Sequence, residues 1–287
     1  MILYRVSDAA KPVSIRMARK EPKPTSLPSY RNPPVQEVVC GAKFASLERF
    51  MVPHIGLFWD SVRRDFPNCE HAAPLSLDPS AFDAATGLPI PRIWLINRSE
   101  DRLIQLQRDL FFYNWRQRSK NKRYPRYKNI FKSFDKHIRH FERFVKENEL
   151  GELSIKSFEL TYINHINQGE GWKSFRDIGT VFPDCRWKVK SSRFLPVPSG
   201  FAWRASFLLP EGQGTLSAKV DRGMRRADEH PLLAFELKAT GSGENNSLDN
   251  MEEWFSTAHE WIVRGFTDLT GSKIQKEIWE RDDSFAG

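Results

Sequence analysis

The feature that most constrains this chain is a correspondence between its two halves. Each half reads as a strand, a helix, a run of strands and a long helix. Laid on one another, the halves bring Glu37 beside Glu159 at the head of each first strand. Each first helix ends in Phe-Pro-x-Cys, at Phe66-Pro67-Asn68-Cys69 and at Phe182-Pro183-Asp184-Cys185. The register slips between these two matches, so the order of elements carries the comparison more than identity does. A repeated unit of this kind buries one face of an antiparallel sheet under its helices and leaves the other face open. The expectation is an α+β chain: two fused pseudo-repeats, one curved antiparallel sheet, and long helices packed on one side. The divisions are a basic, disordered tail at 1–27, a first pseudo-repeat at 28–150 and a second at 151–287.

Periodicity places the elements. Val38, Cys40, Ala42 and Phe44 alternate along a first strand. Leu47, Phe50, Met51, Ile55, Phe58 and Val62 follow at helical spacing, with Pro53 in the first turn. Residues 70–91 hold four prolines and read as loop. Strands are expected at 92–97 and 103–115. The stripe Ile130, Phe134, Ile138, Phe141, Val145 marks a helix of about twenty residues, closed by Glu149-Leu150-Gly151 with the glycine as C-cap candidate. In the second half, strands are expected at 155–166, 186–195, 201–209, 215–221 and 232–239, with a short helix at 172–181. The last long helix carries Met251, Trp254, Phe255, Ala258, Ile262, Phe266 and Leu269 on one face.

Alternation then sorts side chains between the two faces. In 155–166, Phe158, Leu160, Tyr162 and Ile166 read as core, and Glu159, Thr161, Ile163 and His165 as the open side. Read as one strand, 103–115 puts Ile104, Leu106, Leu110 and Phe112 in the core. It puts Gln105, Gln107, Phe111, Tyr113 and Trp115 on the open side. Amides and aromatics on a concave sheet suit a ligand groove, and they equally suit a solvated face with cross-strand aromatic pairs.

The chain has 287 residues, 28% of them charged, and a formal net charge of +8. Six basic residues against two acidic ones in 1–27 supply +4 of this, so the body is only mildly basic. Apolar content of 40% suits a globular fold and argues against disorder. No apolar run is long enough for a membrane helix, and no secretory signal is visible at the start. Three cysteines make no disulfide framework and suit a reducing cytoplasm.

Motifs for chemistry are sparse. No phosphate loop, nucleophile elbow or zinc spacing is present, and no cofactor or metal is expected. His137 and His140 flank the helix stripe as surface residues. Asp221 with Glu236-x-Lys238 has the spacing of a metal-dependent nuclease, in which two carboxylates hold Mg²⁺ and the lysine activates water. The stretch 116–128 is stronger. It holds Arg116, Arg118, Lys120, Lys122, Arg123, Arg126 and Lys128, with no acid and with Trp115, Tyr124 and Tyr127 interleaved. Cations contact phosphates and aromatics stack on bases.

Three stretches carry a family resemblance. They are Tyr30-x-x-Pro33-Pro34-Val35-x-Glu37, then Gln105-x-Gln107 with Phe111-x-Tyr113-Asn114-Trp115-Arg116, then Glu159-Leu160-Thr161-Tyr162-x-Asn164-His165-Ile166. The chain resembles a sporadically distributed, uncharacterised family of bacterial and archaeal proteins over about residues 28–282. The resemblance implies a mobile-element or defence context and no activity. At the level of fold, the expected architecture is similar to TATA-binding-protein-like and helix-grip proteins, which does not carry function. Asn164 falls on the core side and needs a buried partner.

The expected function is a cytoplasmic, non-enzymatic binding protein. Its ligand side is Gln105, Gln107, Tyr113, Trp115, Arg116, Glu159, Thr161 and His165. Nucleic acid or an acidic partner is expected at Arg118, Lys120, Lys122, Arg123, Arg126 and Lys128. A peptide groove without nucleic acid, and the Asp221–Glu236–Lys238 nuclease, are the alternatives.

Overall fold

The computed structural model describes residues 26–73, 87, 91–118, 123–186, 193–225, 227–242 and 247–282. Most of residues 1–27, as well as Lys120 and Lys122, lie outside this set, and so does most of the strand expected at 186–195.

The strands are β1 (Ser29–Tyr30), β2 (Val35–Phe44), β3 (Asn68–Ala72), β4 (Arg92–Ile96), β5 (Arg102–Gln107), β6 (Leu110–Arg116), β7 (Ile155–Asn167), β8 (Ala202–Leu208), β9 (Thr215–Met224), β10 (Pro231–Gly241) and β11 (Arg281–Asp282). The helices are α1 (Val52–Val62), α2 (Tyr127–Glu147), α3 (Ile178–Val181), α4 (Met251–Leu269) and α5 (Ser272–Glu277). Nine strands form one curved sheet in the order β3-β4-β5-β6-β2-β7-β10-β9-β8. Every pairing in it is antiparallel. The fold is α+β, as the pattern of elements implies.

The strand order follows from the two halves. Their first strands, β2 and β7, pair at the centre; the last strand that each half gives this sheet, β6 and β10, returns to flank them, and the remaining strands extend outward from there. A two-fold axis through the Val39–Thr161 pair exchanges Glu37 with Glu159, because Glu37 faces Ile163 and Glu159 faces Gly41. Hairpins join the outer strands at little loop cost, whereas only the central pairing spans the halves.

The core lies between the sheet and the helices. Val38, Cys40, Ala42 and Phe44 all face it, and α4 buries the full stripe expected of it. Phe58 of α1 and Phe141 of α2 meet edge to face at 5.1 Å. Phe131 and Phe134 of α2 each lie 5.2 Å from Phe255 of α4, which closes the helix layer across the halves. Each buried phenylalanine contributes about 1.5–3 kcal/mol through its apolar surface.

Four local expectations change. The stretch 103–115 is a hairpin, turned at Arg108-Asp109. Gln107 pairs with Leu110, Leu106 with Phe111 and Ile104 with Tyr113. Cross-strand partners share a face, so a two-residue turn shifts the alternation by one. Phe111, Tyr113 and Trp115 therefore join the helix-side core, and Leu110 and Phe112 lie opposite. Part of the expected 70–91 loop is strand β3. Helix α2 is tied off at Glu149, the first of the three expected closing residues, rather than capped by Gly151. Glu149 takes φ 53°, and Leu150 N–H donates to Val145 O at 3.0 Å in the pattern that ties off helix carbonyls. His137 is buried between Phe66 and Tyr113, with ring centroids at 5.2 and 5.7 Å. Burial drives its pKa down to about 4.

Candidate functional site

Helices α1, α2 and α4 meet one face of the sheet, through Phe58 and Phe134 on Phe111 and Phe255 on Phe158. The other face carries a chain of polar side chains across four strands of the first half. Asn114 Nδ2 donates to Glu37 Oε1 at 2.6 Å. Gln105 Nε2 donates to Asn114 Oδ1 at 2.8 Å. Gln105 Oε1 accepts from Arg92 NH1 at 2.8 Å and from Trp94 Nε1 at 3.1 Å. Arg92 and Arg116 both lie against the Trp94 ring, at 5.7 and 5.6 Å from its centroid. Alternation on β2, β4, β5 and β6 aims these side chains to one side, and the register sets them in a row.

Burial perturbs the charges in this row. It raises the Glu37 pKa, against the opposing pull of the Asn114 hydrogen bond and of Arg116 and Arg118. It lowers the Arg92 pKa. It also lowers that of Arg116, where neighbouring Arg118 adds repulsion. Nε of Arg92 and Nε of Arg116 are buried without a hydrogen-bond partner. So are both ends of the Gln107 amide, whose side chain is 1% exposed. Gln107 lies one position beyond the Ile93–Leu106 pair, next to Arg92 on β4. Unpaired buried donors are costly, so this row carries a local destabilisation, while Arg92 and Arg116 remain partly exposed as whole residues.

The second half resolves its glutamate differently. Glu159 Oε2 lies 3.2 Å from Lys238 Nζ and 3.8 Å from Lys43 Nζ. Thr161 Oγ1 donates to Glu159 Oε1 at 3.1 Å. His165 sits on the same face, and burial, with Arg225 nearby, lowers its pKa. Asn164 is buried on the core side and finds the partner it needs, donating to Phe235 O at 3.1 Å.

The structure separates the remaining sequence-level candidates. Tyr113 and Trp115 are only 3% and 2% exposed and pack among the helices, so they leave the ligand face. The aromatics of the basic stretch are committed inside. Trp115 packs on Tyr124 at 5.3 Å, Tyr124 and Tyr162 share a hydroxyl hydrogen bond of 2.9 Å, and Tyr127 stacks on His259 at 3.9 Å. The reason is topological: a connection from strand β6 to helix α2 must leave the sheet for the helix layer. Its cations divide accordingly. Arg116 and Arg118 stay at the sheet, with Arg118 Nε donating to Glu100 O at 3.2 Å. Arg126 and Lys128 end on the helix side, where Arg126 NH1 donates to Tyr30 O at 3.0 Å. Arg123 is exposed.

Asp221 and Glu236 lie on adjacent strands of the same face, and Lys238 follows on the strand of Glu236. Asp221 pairs with Lys219 at 2.7 Å, and Lys238 is engaged by Glu159. Among the described residues, no three His, Cys, Asp or Glu side chains gather as a metal site. No helix among them is long and apolar enough to cross a membrane. Arg92, Trp94 and Lys43 are the contributors that sequence reasoning missed. The Arg92-x-Trp94 alternation on a strand beside Gln105 was their one available signal.

The fold and face define an α+β protein with a helix-backed antiparallel sheet whose other face is polar. No family model matches the chain, and no curated protein matches it. It is similar to the crystal structure of DynU16, a protein of the dynemicin biosynthetic locus. The two are 10% identical over 82% of this chain and 96% of that chain, with a TM-score of 0.25.

Proposed function

We propose that this is a cytoplasmic, non-enzymatic binding protein that holds an acidic partner segment on the sheet face opposite its helices. The observation that carries the reading is the pair of guanidinium groups on Trp94. Both arginines are partly exposed on this face and lie against one indole ring. Guanidinium forks match carboxylates well. The commitment of Lys238 to Glu159 and of Asp221 to Lys219 argues against a catalytic use of that trio. Nucleic acid is the second reading, favoured by the run of cations from Arg116 to Lys128 and weakened by the inward packing of its aromatics.

The test is a titration of the full chain with a labelled Asp/Glu-rich peptide and with single-stranded DNA and RNA, at about 50 and about 200 mM salt. The expected result is peptide binding that weakens at least about tenfold in Arg92→Ala/Arg116→Ala. Tighter binding of nucleic acid, with a steep salt slope, would favour the second reading. Failure of every anionic probe to bind would remove both.

A further inference from the structure

Behind the central strands, on the helix side, lies a cavity of about 330 Å³, at the lower end of the range for small-molecule sites. It is distinct from the polar face. The wall from the sheet and α4 is mainly apolar, through Val35, Leu237, Val263 and Phe266, with Asn164 and Tyr162 as its polar members. Its polar wall comes from the connection into α2 and its first turn, through Tyr124, Arg126, Tyr127 and Lys128, with His259 stacked on Tyr127. This segregation is what a ligand with one charged end and an apolar body requires.

The polar wall has unused capacity. Neither ring nitrogen of His259 has a hydrogen-bond partner among the described residues. Burial holds the His259 pKa down to about 4, so the ring is uncharged at neutral pH and offers one donor and one acceptor. The charge at this wall is therefore supplied by Arg126 and Lys128. Arg126 spends one nitrogen on Tyr30 O, which leaves the rest of its guanidinium for a ligand. No acidic side chain is among the lining residues.

We propose that this cavity binds a small monocarboxylic acid with an apolar body on the order of ten carbons, its carboxylate held by Arg126 and Lys128. The apolar body then lies against Val35, Leu237, Val263 and Phe266, and His259 and the Tyr124–Tyr162 hydroxyl pair supply neutral hydrogen bonds near the head. The tyrosine pair and the stacked histidine stiffen this wall, so little side-chain freedom is lost on binding.

The experiment is calorimetric titration of the full chain with hexanoate, octanoate, decanoate and dodecanoate, each below its micellar concentration, and with decanol. The expected result is saturable one-to-one binding of at least one acid, with decanol at least about tenfold weaker. Lys128→Gln and Arg126→Gln should each weaken the acid several-fold and leave decanol unchanged. Val263→Trp should fill the cavity and abolish binding of both, and circular dichroism should confirm that this variant is folded. Leu237→Ala, which enlarges the cavity, should move the preference to a longer acid and serves if the tryptophan variant does not fold. The proposal is overturned if no acid binds. It is also overturned if acid and alcohol bind alike, or if binding survives Val263→Trp in a folded protein.

Discussion

Glu37 and Glu159 occupy exchanged positions about the centre of one sheet, and their surroundings are opposite. Glu37 meets the neutral amide of Asn114, which passes the contact through Gln105 to Arg92 and Trp94. Glu159 meets two lysines directly, with Thr161 alongside. Around Glu159, Lys238 of the second half and Lys43 of the first both lie within ion-pair distance of the carboxylate. In the first half, amides stand between the carboxylate and Arg92, and the Arg92 and Arg116 Nε atoms are left unpartnered. One backbone arrangement thus yields a self-satisfied cluster on one side and an unsatisfied one on the other.

The sharpest way to break this comparison is Asn114→Leu. It leaves the Glu37 carboxyl and the Gln105 amide without their buried partner, and an orphaned group of this kind costs about 1–3 kcal/mol, more when charged. The expected loss of unfolding free energy in urea is about 3 kcal/mol. The matched change in the other half, Lys238→Met, should cost under about 1 kcal/mol, because that lysine is partly exposed and Lys43 remains. Equal losses would mean that the two clusters work alike.

Glu159→Gln should have an intermediate effect, a loss of about 1 kcal/mol at low salt. The two lysines it pairs with have side chains 36% and 43% exposed, so water takes over much of their solvation. The loss should shrink as salt is raised, since exposed pairs are screened. A loss independent of salt would show that the hydrogen bond from Thr161 matters more than the lysines.

How much of this was legible beforehand depends on what each pattern could encode. The α4 stripe and the inward face of β2 are set by periodicity alone, and they were readable. The faces of β6 were not, because alternation has no memory across a two-residue turn: Arg108-Asp109 lacks the glycine or asparagine that marks such turns. The burial of His137 depends on Phe66 and Tyr113, which come from distant parts of the chain. The open face of the sheet was half legible. Gln105, Gln107, Glu159 and Thr161 fall where alternation places them. Tyr113 and Trp115 fall on the wrong side of the same turn. The cations of 116–128 were visible as a run, but the run could not reveal that the chain changes layers within it.

The finest test of the comparison is the pH dependence of Glu37→Gln. Gln keeps the oxygen that accepts from Asn114 and removes the ionisation. Burial, the largest cause, raises the Glu37 pKa above its ordinary value of 4.5, so the folded protein binds this proton more tightly than the unfolded chain does. The resulting stability is present in full below the unfolded pKa and is lost as pH rises through the folded one. Wild type should therefore lose ground to Glu37→Gln as pH rises from about 4 to about 7. His137 and His259, both held down to about 4, lose stability in the opposite direction on acidification. Both proteins carry them, so that contribution cancels in the difference. Urea denaturation of the two proteins across this range measures it. A gap that moves the other way would mean that Arg116 and Arg118 hold Glu37 as the lysines hold Glu159, and the contrast between the halves would fail.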